Sequence, residues 1–369
     1  MDERSQVHKI ALSLLKGIGP VNARNLVAYC GGVDALFTDP KVKRSLEKVP
    51  GIGPKLLGAI AAKDTLVRAE KELEHIHKEG LRMYFYLDLD FPQRLKHAAD
   101  APVLLYAKGN VDLDPDRAVA IVGTRSPTDH GRRMCEELVE GLTASGATIV
   151  SGLAYGIDIC AHRTALKQGL PTIAAVAHGL DRLYPGEHSA TAREMMGTGG
   201  LVSEQPHGSP FVPGNFPARN RVIAGLSDCT IVVESAAKGG SLITADIADS
   251  YDRDVFAYPG RAIDARSAGC NRLIQQHKAA LVTGPADVLR LMEWVDTGKP
   301  RKQVQPTLFG DLLPDEQVLV AVLKELGRTD IDTLCLKAGV HQSRAAGLLL
   351  NMEFNGVVKA LPGKVYALI

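Results

Sequence analysis

Short apolar runs recur along residues 118–257, and amphipathic stretches separate them. Each run is apolar at consecutive rather than alternate positions, which is typical of a parallel strand that helices cover on both faces. The repeating order of strand, loop and helix predicts an α/β fold with an extended, Rossmann-like, doubly wound and mostly parallel sheet. The predicted strands are 118–123, 147–150, 172–176, 230–233 and 254–257, and the predicted helices between them include 130–143, 156–168 and 241–251.

The loops after three of the predicted strands combine glycine with hydroxyl or basic side chains. Ligands of such sheets bind outside the carboxyl ends of the strands, where these loops lie. Glycine lets the backbone approach an anion, while hydroxyl and basic side chains donate hydrogen bonds and charge. Each loop alone could serve only to turn the chain, but three loops of one chemistry favour a phosphate site, which we name the binding edge. Its candidate residues are Gly123, Thr124, Arg125, Ser151, Gly152, Lys238, Gly239, Gly240, Ser241 and Thr244.

A fourth candidate element is the segment 215–225, where basic residues open a predicted helix after an aromatic ring. Arginine binds phosphate through its planar fork, and an aromatic ring gives a base a surface to stack on, as single-strand binders require. The alternative is a solvated basic helix start. We expect Phe216, Arg219, Asn220 and Arg221 to bind DNA, with Arg219 first for phosphate and Arg221 alternatively turned inward to fix the loop.

Residues 1–80 are predicted to form a helical domain with a near-repeat, Gly-Ile-Gly-Pro at 17–20 and again at 51–54. A glycine turn with proline at the first helical position predicts a helix-hairpin-helix, as in SAM-like domains. Such a turn presents free N–H groups at the positive end of a helix dipole, which can hold phosphate. Hairpins that only hold a small bundle together are the open alternative. Candidate DNA contacts are Gly17, Gly19, Gly51, Gly53 and Lys55, with Lys16 beside the first turn.

The Rossmann-like domain is expected over residues 81–296, followed by a polar linker over 297–312. Residues 313–369 predict three short helices and then two strands about a Pro-Gly turn, which fits a winged helix. The third helix offers His341, Gln342, Ser343 and Arg344 before it becomes apolar. Weak duplex DNA binding and protein–protein contact are both open for this domain.

Composition restricts where a nucleic acid could bind. Lys and Arg total 43 and Asp and Glu total 42, so the formal net charge is +1 and a polyanion site must be a local patch. The six cysteines are scattered, and we expect neither a disulfide nor a metal site. No apolar run approaches the ~20 residues of a membrane span and no signal-peptide core is present, so we expect a cytoplasmic protein without membrane contact.

Several blocks resemble the signature blocks of the DprA/Smf family in order and spacing over residues 82–290. These blocks are 121–125, 150–154 with Gly156, Ile157, Asp158 and His162, 216–221, 240–245 and 258–260, and the segment 91–95 resembles the family's lead-in motif. The resemblance implies a protein that binds incoming single-stranded DNA during natural transformation, protects it from nucleases and loads RecA onto it. A single-strand-binding protein is a further partner suggested by the same function.

The resemblance also implies a homodimer formed near Leu273 and Ile274. Two departures from the family pattern stand near these sites. Gly239 takes the place of a serine that members often have, which removes one hydroxyl and leaves the backbone cradle. Residues 277–279 replace the usual Gly-Ala after Ile274, which bears on the dimer geometry.

Catalysis is the main alternative, because many Rossmann-like domains are enzymes. The LOG phosphoribohydrolase group has the signature Pro-Gly-Gly-x-Gly-Thr-x-x-Glu, but here Lys238 replaces the proline and Asp246 the glutamate. Neither a P-loop nor a GxSxG motif occurs, and no GxGxxG follows the first strand of the sheet. Asp158 and His162 could form an acid–base pair at i and i+4. We favour the alternative that Asp158 is a hydrogen-bonded carboxylate at a helix start and that His162 is packed in the core. We therefore expect a non-enzymatic binder without a cofactor.

Overall fold

The computed structural model describes residues 2–15, 17–46, 52–294, 313–354, 357–361 and 363–368. The chain divides into two compact units, residues 1–295 and 296–369. The predicted boundary at residue 80 thus lies inside the first unit, and the predicted linker 297–312 lies outside the described residues. Within the described part, no helix has the length and apolar character needed to cross a membrane.

In the described residues of the first unit, nine strands form one sheet with the order β1-β2-β6-β5-β4-β3-β7-β8-β9. Neighbours from β6 through to β9 run parallel, whereas β2 is antiparallel to both β1 and β6. The predicted mostly parallel α/β sheet is confirmed. The strands are β1 (Arg82–Phe85), β2 (Leu104–Gly109), β3 (Ala118–Val122), β4 (Thr148–Ser151), β5 (Thr172–Ala175), β6 (Gly200–Ser203), β7 (Cys229–Val232), β8 (Asp254–Ala257) and β9 (Ala280–Leu281).

Successive strands are added to the sheet on both sides of the central strand β3. Strands β4, β5 and β6 follow one another on one side of β3, and β7, β8 and β9 follow on the other. The sheet therefore has a topological switch point at β3, and a crevice for ligands forms outside the carboxyl ends of the strands there.

Helices cover both faces of the sheet, because alternate residues of each central strand point to opposite layers. The helices are α1 (Glu3–Ser13), α2 (Pro20–Cys30), α3 (Val33–Thr38), α4 (Pro40–Leu46), α5 (Pro54–Ala61), α6 (Lys63–Glu79), α7 (Gln93–Lys96), α8 (Asp129–Gly141), α9 (Ile157–Lys167), α10 (Ser189–Met195), α11 (Asn215–Gly225), α12 (Gly240–Ser250), α13 (Ala268–Gln275) and α14 (Pro285–Leu291). Ala120 packs in one buried cluster with residues of α11 to α13, and Ile121 packs in another with residues of α8, α9 and α14.

The N-terminal helices share a hydrophobic core with one flank of the sheet. Ile10 and Leu73 belong to the same buried cluster as Phe85 and Tyr106 of the sheet. Polar contacts reinforce this packing, since Arg24 donates a hydrogen bond of 3.1 Å from Nη2 to the carbonyl oxygen of Ala101. The helical region predicted from the repeat is therefore present and is part of the same packing unit as the sheet.

The second unit contains α15 (Pro314–Leu326), β10 (Thr329–Asp330), α16 (Ile331–Ala338), α17 (Gln342–Phe354), β11 (Val358–Leu361) and β12 (Val365–Leu368). The strands form a small antiparallel sheet in the order β10-β12-β11. The helices bury Leu319, Leu334 and Leu349 in a core of their own. The winged-helix assignment of this unit stays a prediction.

Candidate nucleic-acid interface

An open cavity of about 340 Å³ lies outside the carboxyl ends of β3 and β7, at the switch point of the sheet. The loops after β3, β4 and β7 and the first turns of α11 and α12 line it. Most of the predicted contacts from distant parts of the sequence meet here. Those that line the cavity are Gly123, Thr124, Arg125, Phe216, Arg219, Asn220, Lys238, Gly239, Gly240, Ser241 and Thr244.

Two exposed cations stand at the mouth of this cavity. The guanidinium carbon of Arg125 lies 5.7 Å from the centroid of the Phe216 ring, a cation–π geometry that holds the arginine beside the ring. Lys238 is exposed on the loop after β7, and no ion pair to it occurs among the described residues. Both charges are therefore available to an anion that enters the cavity.

Arg219 lies at the floor of the cavity and is buried. Its Nη1 donates hydrogen bonds to the carbonyl oxygens of Gly152, at 2.6 Å, and of Ala175, at 2.8 Å. Its Nε donates to Oδ1 of Asn220 at 3.2 Å. The arginine expected first for phosphate thus supports the site through backbone oxygens of the loop after β4 and of the last residue of β5, and phosphate binding by it stays a prediction.

Arg221 also points into the protein. It is ion-paired with Glu204 and donates a hydrogen bond of 2.7 Å to the carbonyl oxygen of Asp100. It does not line the cavity, in contrast to the other three candidates from the same segment. Of the two positions weighed for this side chain, the structure has the inward one.

Ser151 and Gly152 support the site from below its surface. The buried hydroxyl of Ser151 donates a hydrogen bond of 2.6 Å to the carbonyl oxygen of Ile121, which ties β4 to β3. A side chain at Gly152 would place its Cβ 2.1 Å from Nη1 of Arg219 and 2.7 Å from Oδ2 of Asp158. Only glycine fits there, because the guanidinium and the carboxylate flank the backbone on that side.

Asp158 and His162 share α9 but have different hydrogen-bond partners. Burial raises the pKa of Asp158, and the charge of Arg219 opposes that effect. His162 is fully buried, and its Nδ1 lies 2.7 Å from Oγ1 of Thr172, which itself donates to the carbonyl oxygen of Ile149. Nδ1 therefore carries the proton. Burial lowers the pKa of His162 to about 3, so it is neutral and packed.

The two Gly-Ile-Gly-Pro turns begin helices as the repeat predicts. Gly19 is the N-cap of α2 and Gly53 the N-cap of α5, each followed by proline at the first helical position. Gly17 has a φ of 82°, a conformation that favours glycine. Lys55 lies in the first turn of α5, whereas Lys16 and Gly51 lie outside the described residues.

Three aromatic residues and two arginines at the same edge of the sheet were not predicted from the sequence. Tyr155, Tyr184 and Phe211 are exposed rings in the loops after β4, β5 and β6. Arg261 and Arg266 are exposed on the loop after β8, and Nη1 of Arg266 lies 3.4 Å from the carbonyl oxygen of Ser126. Their position after predicted or missed strands was the available signal, since such loops gather at one edge.

The part of the chain that forms this site matches a family model. The model for DNA recombination-mediator protein A matches residues 82–293, which include strands β1 to β9 and every loop around the cavity. The chain belongs to this family.

Relatives named DprA or Smf support the same family membership along the chain. Protein Smf of Synechocystis is 36% identical, and the match covers 99% of each protein. DNA processing protein DprA of Streptococcus pneumoniae is 43% identical over 60% of this chain and 78% of its own. The resemblance to the DprA/Smf family inferred from the sequence blocks is confirmed.

Solved structures of family members share the fold. The X-ray structure of DprA from Streptococcus pneumoniae matches with a TM-score of 0.63 and 33% identity, covering 78% of this chain and 97% of that one. A structure of DNA processing protein A from Helicobacter pylori, reported for its single-stranded DNA binding mode, matches with a TM-score of 0.53 and 30% identity. It covers 58% of this chain and 95% of the Helicobacter protein.

Proposed function

We propose that this protein binds single-stranded DNA along the binding edge, with phosphates held at the mouth of the cavity. The carrying observation is a pair of exposed cations in one cavity at the switch point of the sheet: Arg125, which lies beside the Phe216 ring, and Lys238. Positive charge next to an aromatic plane is the combination that a flexible single strand requires, because phosphates and bases must both be held. The DNA-binding mode reported for the Helicobacter relative supports this proposal.

The start of α12 supplies a second source of phosphate binding. Gly239 is its N-cap, and no side chain among the described residues caps the amide groups of its first turn. Gly240 faces open space: apart from its chain neighbours and the backbone of its own helix, no atom of the described residues lies within 4 Å of where a Cβ would stand. An anion can therefore approach the backbone N–H groups at the positive end of this helix.

The helix start that a dinucleotide would use in this fold is already occupied. A Rossmann-type pyrophosphate binds at the N-terminus of the helix after the first parallel strand, which corresponds to α8. Here the buried carboxylate of Glu234 accepts hydrogen bonds from the hydroxyl of Thr128, at 2.6 Å, and from its backbone N–H, at 3.2 Å. Oε2 of Glu234 also lies 2.1 Å from the position of a Cβ at Gly131. This internal anion disfavours a dinucleotide at the start of α8. The LOG alternative is disfavoured by Lys238 and Asp246, which stand where the signature of that group has proline and glutamate.

The cellular role that fits a binder of this family is protection of incoming DNA and loading of RecA during natural transformation or recombination, without catalysis. The role includes a homodimer, for which Leu273 and Ile274 are the candidate residues. Leu273 is buried in the core of its own chain, whereas Ile274 is half-buried. A dimer contact at this place would therefore use Ile274 and the exposed side chains around it.

A direct comparison of ligands tests the binding proposal. Isothermal calorimetry with an oligothymidine and, separately, with AMP and NAD should give binding of the oligonucleotide alone. Its affinity should fall as salt rises, because phosphate contacts release counterions. Binding of AMP or NAD without oligonucleotide binding would replace this proposal with the enzymatic alternative.

RecA loading needs its own assay. The rate of RecA-dependent ATP hydrolysis on DNA coated with single-strand-binding protein should rise when the protein is added, and the rise should be lost in Arg125→Ala. If the wild-type protein binds oligothymidine but does not change the rate of RecA-dependent ATP hydrolysis, the proposal of RecA loading is refuted and the proposal of DNA binding stands. Analytical ultracentrifugation of the wild type and Ile274→Glu tests the dimer in the same preparation, and a wild-type monomer would exclude it.

A further inference from the structure

Three partly exposed aromatic rings stand beside the cavity, on its β5 side. Tyr155, Tyr184 and Phe211 are 41%, 48% and 44% exposed, which is unusual for large rings in adjacent loops of one unit. We name these three residues the aromatic shelf. Tyr155 and Tyr184 line a shallow recess of about 20 Å³ that shares Arg125 and Phe216 with the larger cavity. The shelf is therefore continuous with the proposed phosphate site.

The shelf is held rigidly from below. The ring centroids of Tyr184 and Phe211 are 5.2 Å apart in an edge-to-face arrangement, and the buried His178 ring lies 5.3 Å from Phe211. The backbone N–H of Tyr184 donates to Nε2 of His178, while Nδ1 of His178 donates to the carbonyl oxygen of Gly179. Tyr155 packs edge-on against His188 with centroids 5.0 Å apart. Rings fixed in this way lose little freedom when a ligand stacks on them.

The charged groups beside the aromatic shelf are a carboxylate and an arginine that is already paired, so the shelf suits bases better than phosphates. The hydroxyl of Tyr155 donates a hydrogen bond of 2.9 Å to the carboxylate of Glu187. Arg182, whose guanidinium carbon lies 5.8 Å from the Phe211 ring, is already paired with Asp181 at 3.0 Å. The exposed cations that line the cavity are instead Arg125 and Lys238. A strand that keeps its phosphates at these two residues can turn its bases toward the shelf.

We infer that the aromatic shelf is a base-stacking subsite, in which Tyr184 and Phe211 bind bases of the same single strand whose phosphates contact Arg125 and Lys238. The inference rests on the proposed function. Stacking requires only a flat π surface, so the subsite accepts any base and adds affinity without sequence preference. It also sets the path of the strand, which leaves the cavity past β5.

Paired ligands that differ only in their bases test the inference. Fluorescence anisotropy is measured with an oligothymidine of about 12 nucleotides and with an abasic tetrahydrofuran chain carrying the same number of phosphates. Tyr184→Ala and Phe211→Ala should each weaken oligothymidine binding by roughly tenfold and leave abasic binding unchanged. Tyr184→Phe, which keeps the ring, should bind like the wild type. Arg125→Ala should weaken both ligands.

The outcomes separate the subsite from the binding proposal. A wild type that binds neither ligand would refute both. Oligothymidine affinities of Tyr184→Ala and Phe211→Ala equal to that of the wild type would refute the shelf alone, and so would equal weakening of the two ligands in these variants. The fluorescence of a 2-aminopurine placed in the oligonucleotide gives a second readout, since stacking on Tyr184 should quench it and Tyr184→Ala should restore it. The unfolding temperature of each variant establishes that it is folded. We expect Tyr184→Ala to fold, because the hydrogen bond from residue 184 to His178 uses the backbone N–H and does not need the ring.

Discussion

The Arg219 guanidinium is hydrogen-bonded to the carbonyl oxygen of Gly152 over 2.6 Å, which links α11 to the loop after β4. Because this arginine is buried near Asp158, its removal would take a positive charge from the surroundings of that carboxyl group and a donor from two carbonyl oxygens. We expect Arg219→Ala to lower the free energy of unfolding by about 3 kcal/mol. Urea denaturation followed by circular dichroism measures this change.

Arg125→Ala is the matched control for that substitution. Arg125 is exposed at the same cavity, so its removal should change the free energy of unfolding by no more than about 0.5 kcal/mol. Equal stabilities of the two variants would show that Arg219 is not the structural support described above.

The exposed cations should control DNA affinity and its salt dependence. Arg125→Ala and Lys238→Ala should each weaken oligothymidine binding about tenfold, since each removes a charge-assisted hydrogen bond to phosphate. In each variant the slope of log affinity against log salt concentration should become shallower by about 0.7, because one phosphate fewer is neutralised. Lys167→Ala is the control, because Lys167 is an exposed cation at the last residue of α9, whereas the first turn of α9 follows the loop of the binding edge. A salt response of Lys238→Ala equal to that of the wild type would place the phosphates elsewhere.

Substitutions at two adjacent glycines at the start of α12 should affect folding and DNA binding separately. A Cβ at Gly239 would lie 2.3 Å from Oγ of Ser235, whereas a Cβ at Gly240 would have no described residue outside its own helix backbone within 4 Å. Gly239→Ala should therefore destabilise the fold by about 1–3 kcal/mol through overpacking. Gly240→Ala should keep full stability and weaken oligothymidine binding, because its methyl group would stand between the helix amides and a phosphate. Full affinity of Gly240→Ala would mean that no phosphate approaches this helix start.

Stability should depend on pH through His162. The pKa of the folded form is lowered to about 3 by burial first and then by His188 and Arg219, against the ordinary 6.5. Between these two values the unfolded chain binds a proton that the folded chain does not, so stability falls as the pH falls through this window. The expected loss between pH 7 and pH 5 is about 2 kcal/mol.

His162→Asn isolates this contribution. The amide can donate to Oγ1 of Thr172 as the imidazole does, but it does not titrate. The unfolding free energy of the variant should fall by about 2 kcal/mol less than that of the wild type over the same pH interval. Parallel pH profiles for the two proteins would contradict the neutral, buried state of His162.

The central sheet was predictable because its strands carry their own local signal. Strands β3, β4, β5, β7 and β8 are apolar at consecutive positions, and the structure has all five close to the predicted ranges. Strand β6 has only two apolar residues, Leu201 and Val202, between two glycines and a serine, which is too short an apolar run to recognise. Strands β1 and β2 precede residue 118 and pair antiparallel, so the repeating strand–helix pattern of residues 118–257 does not predict them.

The roles of the site residues were only partly predictable for a different reason. Loop chemistry placed Arg125, Lys238 and Gly240 at one edge, and they line one cavity. Nothing local distinguishes Arg219 from an exposed arginine, because its partners are the carbonyl oxygens of residues 67 and 44 positions away. Tertiary packing alone decides that this side chain faces inward. The same holds for Glu234, whose partner Thr128 is 106 positions distant.

The common core of the N-terminal helices and the sheet decides how the Gly-Ile-Gly-Pro turns can be studied. A chain shortened to begin after α6 would expose Phe85 and Tyr106 to water, because both rings belong to the cluster that those helices complete. Weaker DNA binding by such a truncated protein would then result from aggregation of the exposed sheet rather than from the absence of the hairpins. Substitutions in the intact chain, at Gly19 or Gly53 where the backbone tolerates a side chain, are the informative route to the hairpins.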